Sequence, residues 1–248
     1  MKKEFPYIFR EDEILKDFDN KKQLNNKLVY YQNKGLFKKI RKGLYATVDE
    51  NGILNSNKFE IASKISPTSY VSYHSALEYY GLALQVYSYI FVTSETRFNE
   101  FEYEDIVYYC HINHFCSLQV EQIGLIKVTS LERTIVDCLD CIHLCGDIDE
   151  LLSAIDMIES LNEEKLLEVL NTYNKVILYQ KVGYVLEQFK EQLNLSDNFF
   201  IECQKHLTNQ VKYLWENNTQ YPVYNKKWQL IAPKDLRSFI NGGVHEIW

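Results

Sequence analysis

Within residues 20–48, NKKQLNNKLVYYQNKGLFKKIRKGLYATV, the spacing of apolar side chains changes once, and that change fixes what the segment can fold into. Leu24, Leu28 and Tyr31 recur at i, i+4 and i+7, the stripe of an amphipathic helix. Asn20 stands where an N-cap is needed, Gln23 sits at the capping-box position, and Gly35 supplies the stop. Beyond Gly35, residues 36–40 and 44–48 read as two short strands around a tip at 41–43, where Gly43 is free to take positive φ. Upstream, REDEILKDF (10–18) reads as a short helix with acids in its first turn and Ile14, Leu15 and Phe18 on one side. Helix, turn, helix, basic hairpin is the order of a winged helix-turn-helix.

The same segment carries Lys21, Lys22, Lys27, Lys34, Lys38, Lys39, Arg41 and Lys42 and no carboxylate, in a chain of 248 residues whose formal charge is −7. Residues 1–60 sum to +4 and residues 61–248 to −11. A charge run of this kind is either a solvated face or the footprint of a polyanion. At about 100° per residue, the helix side opposite the stripe carries Lys22, Asn26 and Asn33, flanked by Gln23, Val29 and Tyr30. Lys22, Gln23, Asn26 and Tyr30 are therefore the candidates to read base edges in a major groove. The hairpin lysines and Arg41 would fix register on phosphates. If six of the eight cations touched phosphates, affinity would fall roughly a thousandfold or more between 50 and 200 mM salt.

The length is that of two domains, and a polar stretch at 49–57, DENGILNSN, is the expected boundary: a DNA-binding domain over 1–50 and a second domain over 58–248. The second part mixes strands and helices. A strand precedes a helix capped near Ser72 and closed by Gly81. Residues 86–95 and 105–115 are rich in β-branched and aromatic residues and read as strands. A further strand ends at Thr129, Ser130 caps the next helix, and Asp147 with Glu150 has capping-box spacing. From residue 162 helical periodicity dominates, and residues 224–236 read as a closing strand and turn. The expected class is α+β, with a winged helix-turn-helix joined to a larger mixed domain that ends in helices. The N-terminus shows no secretory pattern, and no apolar run approaches the about 20 residues a bilayer requires. The expectation is a cytoplasmic protein with no membrane partner, its six cysteines reduced thiols.

No glycine-rich phosphate loop, G-x-S-x-G or H-E-x-x-H motif is present, so no enzyme is expected and no cofactor is implied. Cys138, Cys141, His143 and Cys145 have soft-ligand chemistry suited to zinc, but the three cysteines fall on one helical face, where small hydrophobes pack. Core packing is the expected use, and no metal site is assigned. In TSLERTIVDCL (129–139), Arg133 and Asp137 lie at i, i+4. Exposed, such a pair contributes roughly 0.3–0.5 kcal/mol; buried, it becomes a fixed clamp.

The order NKGLFKKIRKGLYAT, SYVSYHSALEYYGL, VTSLERTIVDCLD, GDIDELLSAI, then KVGYVLEQF and WQLIAP, resembles the AbiEi family of bacterial antitoxins from abortive-infection systems. The resemblance spans nearly the whole chain. It implies a winged-helix N-terminal domain, a C-terminal antitoxin domain, and repression of the protein's own operon through inverted repeats in promoter DNA. It also implies a functional partner, an AbiEii-type nucleotidyltransferase toxin, without a stable complex. Lys38, Lys39, Arg41 and Lys42 match the basic wing, and residues 21–34 match the recognition-helix region. Tyr73, His74, Ser75 and Ala76, with Ser130, Glu132, Arg133, Thr134 and Asp137, match recurring motifs of the antitoxin domain. The CIHLC segment is outside the family pattern. The rival readings are a transcription factor without a toxin partner, a nuclease using the basic arm as a clamp, and an inhibitor that grips a toxin directly.

Overall fold

The computed structural model describes residues 5–115, 117–215 and 222–240, and its contacts gather the chain into two compact units. One runs to Val71 and resumes over Tyr87–Val128; the other takes Ser72–Val86 and the described chain from Thr129 onward. The polar stretch at 49–57 lies within the first of these units.

The first unit begins with β1 (Ile8–Arg10), α1 (Glu11–Leu15), α2 (Lys21–Asn33), β2 (Phe37–Arg41) and β3 (Leu44–Thr47). The strands form a sheet in the order β1-β3-β2, antiparallel throughout, so β1 extends the hairpin by one strand. Asn20 Oδ1 accepts the Gln23 amide at 2.9 Å, and Gln23 Oε1 accepts the Asp19 amide at 3.0 Å. Gly35 and Gly43 hold φ of 66° and 81°, as the stop and the tip require. Leu24 and Leu28 are buried and Tyr31 is half-buried, packed with Phe9, Ile14, Phe37 and Tyr45. α1 ends at Leu15, three residues short of its expected limit.

After the polar turn come α3 (Lys58–Lys64) and β4 (Tyr70–Val71), then β5 (Tyr89–Ser94), β6 (Phe101–Tyr103), β7 (Ile106–Ile112), β8 (Val120–Ile123) and β9 (Ile126–Thr129). These strands make a mixed sheet in the order β6-β7-β5-β4-β9-β8. α3 packs on β4 and β5 and also on β1. Lys64 Nζ meets Glu13 Oε1 at 2.9 Å. One helix thus packs against both the N-terminal segment and the sheet.

The second unit holds α4 (His74–Tyr79), α5 (Leu131–Asp140), α6 (Ile148–Asp156), α7 (Glu163–Tyr173), α8 (Val176–Glu187) and α9 (Asp197–Lys205). A small sheet follows, with β10 (Lys212–Tyr213), β11 (Val223–Asn225) and β12 (Leu230–Ala232) in the order β10-β12-β11. The long helices therefore do not end the unit: this sheet comes after them. α5 is its hub, buried along nearly its whole length and packed by α4, α6, α7 and α8. Ser130 caps it, accepting the Arg133 amide at 3.2 Å. Two expected caps are replaced. Tyr73, at φ 53°, stands at the start of α4 in place of Ser72. Asp147 precedes α6 without a side-chain cap, and Glu150, the other half of the expected box, instead accepts the Leu84 and Gln85 amides at 2.8 and 3.2 Å. The architecture is α+β. Among the described residues no helix is long and apolar enough to cross a membrane.

Candidate functional site

α2 and the β2–β3 hairpin enclose an open groove of about 380 Å³ lined by Lys21, Asn25, Gln32, Lys39, Lys42 and Tyr45. The helix contributes residues on the flank of its buried stripe, because Lys21, Asn25, Leu28 and Gln32 follow one another along that side. Lys21, Lys39 and Lys42 make no ion pair among the described residues. The groove thus presents three unneutralised cations and two side-chain amides. Glu11 also borders it, but its Oε1 accepts the Tyr45 hydroxyl at 3.1 Å. Burial, then that carboxylate, pushes the Tyr45 phenol up to about 12. The neighbouring acids are also engaged. Arg10 Nε lies 3.0 Å from Asp12 Oδ1, and Glu13 takes the Arg10 amide and Lys64. The Arg10 side chain holds the Asp12 carboxyl below its ordinary range.

The predicted contact residues separate into three groups. Lys21, Lys39 and Lys42 line the groove. Lys22, Gln23, Asn26, Lys27, Tyr30 and Lys34 are exposed on α2 or just past it and do not line the groove. Within that second group, Gln23 is engaged in the helix cap, and the Lys27 and Lys34 ammoniums lie 5.7 and 5.9 Å from the Tyr31 and Tyr30 ring centres. The third group, Lys38 and Arg41, turns toward residues 98–104. Lys38 Nζ sits 3.2 Å from Glu104 Oε1, and the Arg41 guanidinium lies 4.7 Å from the Phe101 ring centre and 5.4 Å from that of Phe98. Burial lowers the Arg41 pKa. Asn25 and Gln32 were missed by sequence reasoning. Their signal was present: both flank Leu28 on the side that a returning hairpin would border.

The motif residues of the second unit are buried and mutually engaged. His74 Nε2 lies 3.2 Å from Glu150 Oε1, the two side chains 1% and 6% exposed. Ser75 is buried beside them in α4, after Tyr73. Glu132 Oε1 accepts the Asn162 amide at 3.0 Å, at the start of α7. Arg133 Nε meets Asp137 Oδ2 at 3.3 Å, both side chains nearly inaccessible, and the Tyr173 hydroxyl donates to Asp137 Oδ1. Burial pushes the Asp137 carboxyl up to about 6 against the pull of Arg133 and Tyr173. This is the clamp that burial makes of an i, i+4 pair.

Cys138 and Cys145 are joined by a disulfide, correcting the expectation that all six cysteines are thiols. The cysteines do not share the expected helical face: α5 ends at Asp140, and a turn of 3-10 helix over Ile142–Leu144 brings Cys145 back until the two Cα atoms stand 5.8 Å apart, within the usual span of the link. Cys110, Cys141 and Cys203 are free, and Cys116 lies outside the described residues, as does His245. Burial pushes the Cys141 thiol up. Among the described residues no group of His, Cys, Asp and Glu is arranged to hold a metal ion.

The fold has a solved counterpart. The RV2827C protein from Mycobacterium tuberculosis, known from a crystal structure, superposes with a TM-score of 0.61 over 92% of this chain and 86% of that one. The two sequences are 11% identical, so the likeness speaks of fold alone. No family model matches the chain, and no curated protein matches it.

Proposed function

We propose that this chain is a DNA-binding autorepressor and antitoxin of a bacterial abortive-infection operon, acting against an AbiEii-type nucleotidyltransferase toxin. In this reading the segment over 1–50 is a winged helix-turn-helix, with α2 entering the major groove and the β2–β3 hairpin as the wing. The observation that carries it is the groove between them. Lys21, Lys39 and Lys42 stand there without carboxylate partners among the described residues, beside the amides of Asn25 and Gln32. Cations that neutralise phosphates release counterions, and side-chain amides pair with base edges. Repression is then steric, with the bound protein covering the promoter. The second unit supports the antitoxin role in one limited way. Its motif residues are engaged in holding α4, α5, α6 and α7 together, which points to a scaffold and not to chemistry.

The test is gel mobility of the protein's own promoter with wild type and with Lys21→Gln, Lys39→Gln and Lys42→Gln combined. Wild type shifts the fragment and the triple variant, equally folded by circular dichroism, does not. An undiminished shift by the triple variant overturns the interface. Co-expression of the chain with the adjacent toxin gene tests the antitoxin role. Restored growth supports it, and unrelieved toxicity overturns it.

A further inference from the structure

Lys38 and Arg41 belong by sequence to the cationic hairpin, yet both turn to one segment of the same compact unit, residues 98–104. A register shift between Lys39 and Arg41 breaks the strict alternation of β2, so Lys39 lines the groove while Lys38 and Arg41 do not. Arg41 lies close to two rings, and its Nη1 donates to the Asn99 carbonyl at 3.5 Å. The platform beneath it is fixed. Phe101 stacks on Tyr108 at 4.8 Å with 9° between ring planes, and Tyr108 is 1% exposed. Glu104 and Asp105, at φ 48° and 61°, form the tight turn joining β6 to β7 and set the Glu104 carboxylate beside Lys38.

We infer that residues 98–104 position the β2–β3 hairpin for the duplex: Arg41 is its anchor on Phe98 and Phe101, and Glu104 withholds Lys38 from phosphate. The inference rests on the duplex-binding reading above and adds to it a positioning element some sixty residues away in sequence. A planar guanidinium suits this role because it stacks on aromatic faces, which an ammonium does less well. Half-buried and desolvated, Arg41 is engaged before DNA arrives. Lys38 differs: its pair with Glu104 is exposed, so the carboxylate holds the ammonium back by charge and not by burial.

The experiment measures promoter affinity by fluorescence anisotropy across a salt series, and amide exchange of residues 38–44 without DNA. The variants are Arg41→Gln, Phe101→Leu, their combination, and Glu104→Gln. Phe101→Leu keeps apolar bulk on Tyr108 while removing the aromatic face. Arg41→Gln and Phe101→Leu each weaken binding roughly five- to tenfold, and the combination weakens it no further than either alone. Multiplying effects would place Arg41 on DNA instead and overturn the anchor. Glu104→Gln tightens binding at low salt and steepens the salt dependence by up to about 0.9 in slope, as a released lysine should. Unchanged or weakened binding overturns the part assigned to Glu104. Should the wild-type chain bind no promoter, the proposed function falls while amide exchange still decides the anchor. Faster exchange in Arg41→Gln and Phe101→Leu supports it, and unchanged exchange overturns it.

Discussion

The indole of Trp228 occupies the space where a β-carbon on Gly183 would stand, with Cζ3, Cη2 and Cε3 all inside it. Its Nε1 donates to Glu187 Oε2 at 2.8 Å, one turn further along α8, so the ring is held from two sides. Trp228 is fully buried and draws the small closing sheet against the helices. Gly183→Ala must therefore displace the ring or bend the helix. The expected loss is at least about 1–3 kcal/mol, the usual cost of overpacking, despite the helix propensity that alanine adds. Urea unfolding of the two proteins measures it, and an alanine variant as stable as the parent shows that the ring withdraws freely.

Asp137 neutralises Arg133 where neither reaches water. Asp137→Asn keeps the shape but sets an amide N–H group where a buried donor now finds an acceptor, at an expected cost of about 1–3 kcal/mol. Tyr173→Phe removes one hydrogen bond to the same carboxyl group and should cost less, roughly 0.5–1.5 kcal/mol. Denaturant midpoints that place Tyr173→Phe below Asp137→Asn would show that the hydroxyl, and not the ion pair, holds the cluster.

The same carboxyl titrates out of its ordinary range, with a folded pKa of about 6 against an ordinary value of 3.8. Between those values the unfolded chain has released the proton that the folded chain retains. Stability from this group therefore falls as pH climbs from about 4 to about 6, and the full cost is present above that window. Carboxyl-carbon resonances should show one aspartate with a midpoint near 6 that disappears in Asp137→Asn. A midpoint at or below about 4, the usual aspartate range, would mean that Arg133 outweighs burial.

Lys39 and Lys42 face the groove while Arg41 does not, which gives the salt dependence of DNA binding a residue-level signature. Lys39→Gln and Lys42→Gln should each reduce the slope of log K against log salt by about 0.9, while Arg41→Gln weakens binding with little change of slope. Equal slopes for all three variants would erase the distinction between groove and anchor.

Glu150 ties α6 to the chain after α4 through the Leu84 and Gln85 amides, and it faces His74. Glu150→Ala removes the charged acceptor that those two part-buried amides share, for an expected loss of about 1.5–3 kcal/mol. Faster hydrogen exchange at Leu84 and Gln85 should accompany it. A global loss of stability without that local change would point to His74 as the important partner.

By itself, the sequence determined what short-range physics decides. Leu24, Leu28 and Tyr31 specified a helix and its inward side. Asn20 and Ser130 specified two caps, Gly35 and Gly43 a stop and a tip, and the i, i+4 spacing of Arg133 and Asp137 a pair awaiting burial. Each depends on residues within about one or two turns of one another, so pattern suffices. Tertiary structure decided what depends on distant chain. β1 could not be seen at Ile8–Arg10, because three residues become a strand only when β3 offers its edge. Glu150 and Asp147 carried a capping signal, yet Glu150 accepts the Leu84 and Gln85 amides instead. Phe98, Phe101 and Glu104 divided one run of cations into groove and anchor, a partition invisible in a sequence where Lys38 and Lys39 are adjacent and alike. A cation's role follows from the field and surfaces around it, and those are supplied by residues that folding alone brings near.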